Sequence, residues 1–186
     1  MLNHADGEYS GTITSMTVIT SFAPIAAADA KVLILGSMPG VESLVRQQYY
    51  AHPRNAFWFI IERLTQQTRP LDYTQRAALL PRYGIALWDV LRACKRRGSL
   101  DSAIEHSTVV ANDFAGFLRE HPDITDVFFN GATAEQAWKR YVLKQIGPRY
   151  DYLNYQRLPS TSPAMASLKP EQKLELWSVV LDRAGR

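Results

Sequence analysis

The sequence predicts an α/β protein: a three-layer α/β/α sandwich built on a central four-stranded, mainly parallel sheet. Three observations carry that expectation. Four short runs that read as strands alternate with longer stretches in which apolar residues recur at helical spacing. Strands that alternate with helices make a parallel sheet covered on both faces. Each run ends in a loop rich in Gly, Pro, Ser or Asn. The 186 residues, 46% hydrophobic and 11% aromatic, suit one compact domain with a sizeable core.

In chain order, residues 1–20 read as an N-terminal tail with a short β-like segment, "TITSMTVIT", and residues 21–186 as the single domain. "KVLIL" (31–35) is a continuous apolar run before a glycine, the mark of a strand buried on both faces. "PRNAFWFIIERLTQQ" reads as a buried helix with Pro53 in its first turn. "DYTQRAALLPRYG" is a second helix closed near Gly84, and "IALWDVL" a second strand. "ANDFAGFLREHP" is a helix with Asn112 or Asp113 as cap and Pro122 as stop. "ITDVFFN" is the third strand. In "GATAEQAWKRYVL", Ala134, Ala137, Trp138, Tyr141 and Val142 share one helical face. "DYLNYQRLPS" is the fourth strand, and "KPEQKLELWSVVLDRA" a terminal helix with Leu174, Trp177, Val180 and Leu181 inward.

Composition removes several functions. No apolar run approaches the ~20 residues of a membrane span. The N-terminus lacks a basic region ahead of an apolar one, so no signal peptide is read there and a cytoplasmic location is expected. Cys94 is the only cysteine, which excludes an intrachain disulfide, a Cys-rich zinc site or an iron–sulfur cluster. His4, His52, His106 and His121 are scattered, without metal-ligand spacing. The Gly36–Gly40 loop "GSMPG" is neither a phosphate-binding Walker loop nor a nucleophile elbow, and no dinucleotide fingerprint occurs. The expectation is a site that uses no metal and no cofactor.

In open parallel sheets, ligands bind beyond the carboxyl ends of the strands. Those ends carry "GSMPG", "DVLRACKRRGS", "NGATA" and "PSTSPA". The run "RACKRR" puts four basic residues in a window of six, either a solvated loop or a phosphate contact. Tyr49 and Tyr50 offer flat faces that stack a planar ring, worth ~1–3 kcal/mol per base. Asn55 both donates and accepts, so it holds a water and a ligand edge together; alternatively it caps the helix that begins there. Asp89 is either a supporting carboxylate or a loop anchor, and Asn130 either lines the pocket or ties loops together.

"GSMPG…QYYAHPRNAFW" and "LPSTSPAMASL" resemble the signature motifs of the uracil-DNA glycosylase superfamily. Mismatch-specific members carry Gly-Ile-Asn-Pro-Gly, then Phe-Ala-His-Pro-Ala-Asn-Arg-Phe-Trp, and later Asn-Pro-Ser-Gly-Leu-Ser. "FFNGATAEQAW" is similar to the third-strand segment of the thermostable branch. The motifs occur in order over residues ~31–185. Met38 replaces the first-motif amide or carboxylate that serves the attacking water in most branches, and leucine replaces the His or Asn before "PSTSP" that polarises uracil. The first departure resembles the hypoxanthine-DNA glycosylase branch, which uses the asparagine of the Pro-x-Asn segment instead; the second favours a deaminated purine, hypoxanthine, over uracil.

The resemblance implies Asn55 as the catalytic residue and Gly36, Ser37, Met38, Pro39, Tyr50 and Phe57 as base-binding residues. It implies Ser160, Thr161, Ser162 and Pro163 as a phosphate-pinching loop, with Arg92, Lys95, Arg96 and Arg97 gripping the flanking backbone. The implied partner is double-stranded DNA holding a deaminated base, met by a monomer that leaves an abasic site. Two rival readings stand beside it: a uracil or thymine mismatch glycosylase, and a non-catalytic nucleic-acid-binding module with the same fold.

Overall fold

The computed structural model describes residues 18–185. Strand β1 (Val18–Thr20) precedes β2 (Val32–Gly36), α1 (Val41–Arg46), α2 (Phe57–Leu64), α3 (Tyr73–Arg82) and β3 (Ile85–Asp89). Then come β4 (Leu91–Arg96), β5 (Ile104–Ala111), α4 (Phe114–Glu120), β6 (Asp126–Asn130) and α5 (Ala132–Tyr141). The chain closes with α6 (Leu143–Ile146), β7 (Asn154–Leu158), α7 (Pro170–Trp177) and α8 (Val179–Ala184).

Four strands form a sheet in the order β3-β2-β6-β7, and every neighbouring pair is parallel. Alternate side chains of these strands feed two separate cores. Leu33, Leu35, Trp88, Val127 and Phe129 pack with Phe114, Phe117 and Trp138 from α4 and α5. Val32, Ile34, Leu87, Phe128 and Leu158 pack with Phe57, Ile60, Leu80, Trp177 and Val180 from the helices of the other face. Both faces are dry, which is why "VLILG" and "IALWD" contain no apolar–polar alternation. This is the three-layer α/β/α architecture, with a four-stranded parallel sheet at its centre.

Gly36 pairs with Asp89, and Asn130 with Leu158, so the four strands end together at one edge. That edge carries the site. Capping holds the helices around it. Asp72 and Gln75 form a reciprocal capping box on α3, and Asp113 Oδ1 accepts from Gly116 N at 2.9 Å to start α4.

Three local expectations are corrected. The segment after β3 is not a loop. Leu91–Arg96 is strand β4, the centre of a second, antiparallel sheet in the order β1-β4-β5. This sheet draws Val18–Thr20, expected in the tail, into the fold; the rest of "TITSMTVIT" lies outside the described residues. Its charged side chains hid it, yet Leu91, Cys94 and Ile104 are buried in the first core. Helix α2 begins at Phe57, because His52–Asn55 forms a turn of its own, closed by Asn55 N donating to His52 O at 2.8 Å. The terminal helix is two helices. Ser178 donates through N and Oγ to Glu175 O, a tight turn that separates α7 from α8.

Candidate active site

At the shared carboxyl edge lies a cleft of about 190 Å³. Its walls come from the "GSMPG" loop, the Tyr49–Asn55 segment, Asp89, Asn130, Ser160–Pro163 and the tip of the β4–β5 hairpin. The fold therefore brings Gly36, Ser37, Met38, Pro39, Tyr50, Asn55, Ser160, Thr161, Ser162 and Pro163 to one place.

Tyr50 forms one wall in a conformation that a bulky residue rarely adopts, with φ +53°. Its neighbours explain how it is held there. Tyr49 N donates to Tyr73 Oη at 3.1 Å, Tyr49 O accepts from Trp58 Nε1 at 2.8 Å, and Ala51 N donates to Ser43 Oγ at 3.2 Å. Backbone strain of this kind persists where surrounding contacts over-determine it, commonly at ligand sites. Phe57 does not line the cleft. It is fully buried and stacks on the Tyr50 ring at 4.1 Å, so it backs the wall instead of forming it.

Asn55 is half-buried at the rim. Its Oδ1 accepts from Phe57 N at 3.0 Å. One side chain thus satisfies the first N–H of α2, one residue ahead of the Ala56 N-cap, and lines the cleft. The bond fixes the carboxamide plane and leaves one Oδ1 lone pair and the Nδ2 group outside the cap.

Asn130 is the tie between sheet and loop. Its Nδ2 donates to Thr161 Oγ1 at 2.9 Å, and its Oδ1 accepts from Thr161 N at 2.8 Å. Thr161 O in turn accepts from Ala56 N at 3.0 Å. Thr161 is 1% exposed, so it is a fastening and its hydroxyl is withdrawn from phosphate contact. Trp177 Nε1 donates to Pro159 O at 3.0 Å, and Lys173 Nζ to Met165 O at 2.8 Å, pinning the loop from behind. Gly131 adopts φ +94°, and a Cβ there would come within 2.8 Å of Ser160 Cβ.

The basic run divides. Arg92, Lys95 and Arg97 lie outside the cleft, with Arg92 and Arg97 exposed. Arg96 is the correction: its side chain is fully buried and does not reach solvent or a phosphate. It donates to Pro39 O, to Gly98 O at 2.9 Å and to Asp101 Oδ1 at 3.3 Å. Ser37 Oγ donates to Asp101 Oδ2 at 2.6 Å, and Val41 N to Ser99 Oγ at 2.9 Å. The hairpin tip thus clamps the "GSMPG" loop from above. Ser99 and Asp101 went unnoticed in the sequence. The only signal was an acid closely following a basic run, and it has meaning only once the hairpin folds back.

Asp89 ends β3 inside the cleft, buried to 3% exposure. Burial first, and then the charge of Asp101, pushes its pKa up to about 7 against the opposing Arg96. Asp101 is also raised, by burial, while the Ser37 hydroxyl and Arg96 hold it back. The Tyr50 phenol is raised by burial and by Asp89. The Asn130 amide partly offsets that shift without meeting hydrogen-bond geometry, and the Tyr50 hydroxyl has no partner.

Residues 23–181 match the profile of the uracil DNA glycosylase superfamily. This chain belongs to that superfamily. A hypoxanthine DNA glycosylase from Methanosarcina barkeri is 36% identical over 111 residues, covering 59% of this chain and 69% of the relative. Its counterpart from Methanosarcina acetivorans is 35% identical over 114 residues, 61% of this chain and 71% of that one. The solution NMR structure of a candidate uracil DNA glycosylase from Methanosarcina acetivorans superposes with a TM-score of 0.73 at 29% identity. That likeness covers 91% of this chain and 100% of the other. Membership in the superfamily implies DNA as the substrate.

Proposed function

We propose that this protein is a monofunctional DNA glycosylase. It removes hypoxanthine from deoxyinosine in duplex DNA by hydrolysing the N-glycosidic bond and leaves an abasic site. The observation that carries the reading is Asn55, a carboxamide fixed by the Phe57 N–H at the rim of a cleft walled by Tyr50. The relatives that resemble the chain at 36% and 35% identity carry the name of this activity.

A base inside the duplex is out of reach, so the nucleotide leaves the stack at a cost of a few kcal/mol, less where it is mispaired. Ser160 and Ser162, half-buried beside the cleft, hold the phosphates of the bent strand. Arg92, Lys95 and Arg97, on and beside β4, neutralise the flanking backbone. Tyr50 stacks on the extruded ring, and its strained backbone holds the ring in place before the base arrives. The amides around Ser37 and Met38 read the base edge.

Bond cleavage passes through an oxocarbenium-like sugar. The C1′–N9 electron pair leaves with the base, a stable anion when its edge is hydrogen-bonded, so strong acid catalysis is not required. The free Oδ1 lone pair of Asn55 accepts from a water and aims it at C1′. That is alignment, since an amide does not take the proton. No lysine occurs among the residues lining the cleft, so nothing there forms a Schiff base with the abasic sugar.

The test is base release from labelled duplexes carrying one hypoxanthine, uracil or xanthine, with alkali to cut abasic sites. Asn55→Ala is expected to slow hypoxanthine release by at least about 100-fold, the cost of losing an aligned reactant. Release of uracil that is indifferent to the mutation would move the substrate to uracil and the catalytic role away from Asn55. Tight duplex binding without release of any base would leave a binding module.

A further inference from the structure

The proposed mechanism leaves two buried polar atoms in the cleft unused. Asp89 Oδ2 and the Tyr50 hydroxyl are both enclosed and both lack a hydrogen-bond partner. The Asp89 carboxyl, through its other oxygen, and the Tyr50 hydroxyl both lie over Gly36. A Cβ on Gly36 would collide with Asp89 Oδ1 and come within 2.9 Å of the Tyr50 hydroxyl. Gly36 is thus the residue that lets the carboxyl and the phenol lie over the start of the "GSMPG" loop.

Asp89 has an arginine nearby, but that arginine is committed elsewhere. Arg96 donates to Pro39 O, Gly98 O and Asp101. The other ionisable groups facing Asp89 are Asp101 from the hairpin tip and Tyr49 and Tyr50 from the opposite wall. None of these three is a cation. A buried carboxylate without a counter-ion is costly, and the group stays neutral instead. A neutral carboxyl carries a proton, and a proton on an orphaned oxygen at a ligand cleft is a hydrogen-bond donor awaiting an acceptor.

We infer that Asp89 works as a carboxylic acid, donating a hydrogen bond from its buried oxygen to the carbonyl edge of the flipped-out base. The inference rests on the glycosylase reading and deepens it, by naming a residue that tells a deaminated base from its parent. Hypoxanthine offers a carbonyl where adenine carries an amino group, so a fixed donor meets an acceptor in one and a second donor in the other. The bond strengthens as the reaction proceeds. While C1′–N9 breaks, its electron pair passes to the base and charge collects on the acceptors of its ring. Asp89 keeps its proton throughout. Water adds its oxygen to C1′ and gives one proton to solvent, and the departed base anion recovers one from solvent. A carboxyl kept neutral by an apolar site so that it donates to a developing anion is an established physical device.

Single-turnover release of hypoxanthine, followed across pH for native protein, Asp89→Asn and Asp89→Ala, decides the matter. Asp89→Ala is expected to be about 100- to 1000-fold slower, the usual cost of one lost donor to a developing anion. Asp89→Asn keeps a donor of the same shape and is expected to stay within about tenfold of native. The native rate falls as pH rises above about 7 while the Asn variant stays flat, because only the native donor titrates. Melting curves of both variants establish that they are folded. A difference infrared spectrum, native minus Asp89→Asn at mildly acidic pH, is expected to show the carbonyl band of a protonated carboxyl. An Ala variant within about threefold of native, an Asn variant as slow as Ala, a native rate that rises through neutrality, or no such band would each overturn the proposal. Native protein that releases no hypoxanthine would instead overturn the glycosylase reading beneath it.

Discussion

The two sheets were built under different rules. Strands β2, β3 and β6 of the parallel sheet are buried and largely apolar, and their ends supply Gly36, Asp89 and Asn130 to the cleft. The antiparallel sheet is partly exposed and its β4–β5 register is irregular: in β4, Leu91, Cys94 and Arg96 are buried while Arg92 is exposed. One sheet ends in groups that line the cleft. The other supplies the posture of those groups, by holding Pro39 and Ser37 through Arg96 and Asp101. Neighbouring arginines in one short run therefore have unrelated duties, decided by the register shifts along β4 and not by charge.

The sharpest way to break this division is to remove the clamp. Arg96→Ala leaves Asp101 without its ion-pair partner and Pro39 O without a donor, and loss of a buried partner costs of the order of 3–5 kcal/mol. Chemical denaturation is expected to show that loss, and base release is expected to fall even though Arg96 lines no part of the cleft. Native-like stability in the variant would mean that the hairpin is an ornament.

A smaller effect sharpens the other side. The folded pKa of Asp89, about 7, lies above the ordinary carboxylate value of 3.8. The folded state therefore prefers the protonated form. Its contribution to stability is complete below the ordinary value and is lost as pH rises through about 7. Asp89→Asn does not titrate, so the variant's stability advantage over native is expected to grow between about pH 4 and 8, to a few kcal/mol at most. Parallel melting curves that keep a constant separation across that range would show that Asp89 is ionised in the fold. Such a cost is typical of a group kept for its chemistry at the expense of stability.

The smallest effect concerns the exposed face of the same strand. Arg92→Ala is expected to leave stability within about 0.5 kcal/mol. Duplex affinity should weaken uniformly across sequences, and the log–log salt slope should fall by about one. A variant with an unchanged salt slope would remove Arg92 from the phosphate contacts.

What the sequence disclosed follows the same division. β2, β3 and β6 were legible because burial leaves a nearly unbroken apolar run, and α5 because its apolar stripe is clean; β7, with the exposed sequence NYQRL, was legible only from its place between two helical stretches. Gly36, Tyr50 and Asn55 were legible because they are close together in the chain and match a motif. Phe57 was placed on the wrong side of Tyr50, since sequence spacing says nothing of which ring faces the cleft. β4 was missed because basic residues dominate it and one of its pairing partners, β1, is distant in sequence, and β5 because its apolar and polar residues do not alternate. Arg96 read like its neighbours until the hairpin curled over Pro39, a non-local fact that no window contains.

The indoles offer a practical dividend. Trp58 donates to Tyr49 O, next to the strained Tyr50, and Trp177 donates to Pro159 O, at the root of the Ser160–Pro163 loop. Two of the four tryptophans are thus tied to the main chain of segments that line the cleft. Any shift of either wall alters the polarity around an indole N–H. The protein carries its own optical gauge, and intrinsic emission during mixing with DNA tests whether these segments move, without an added label.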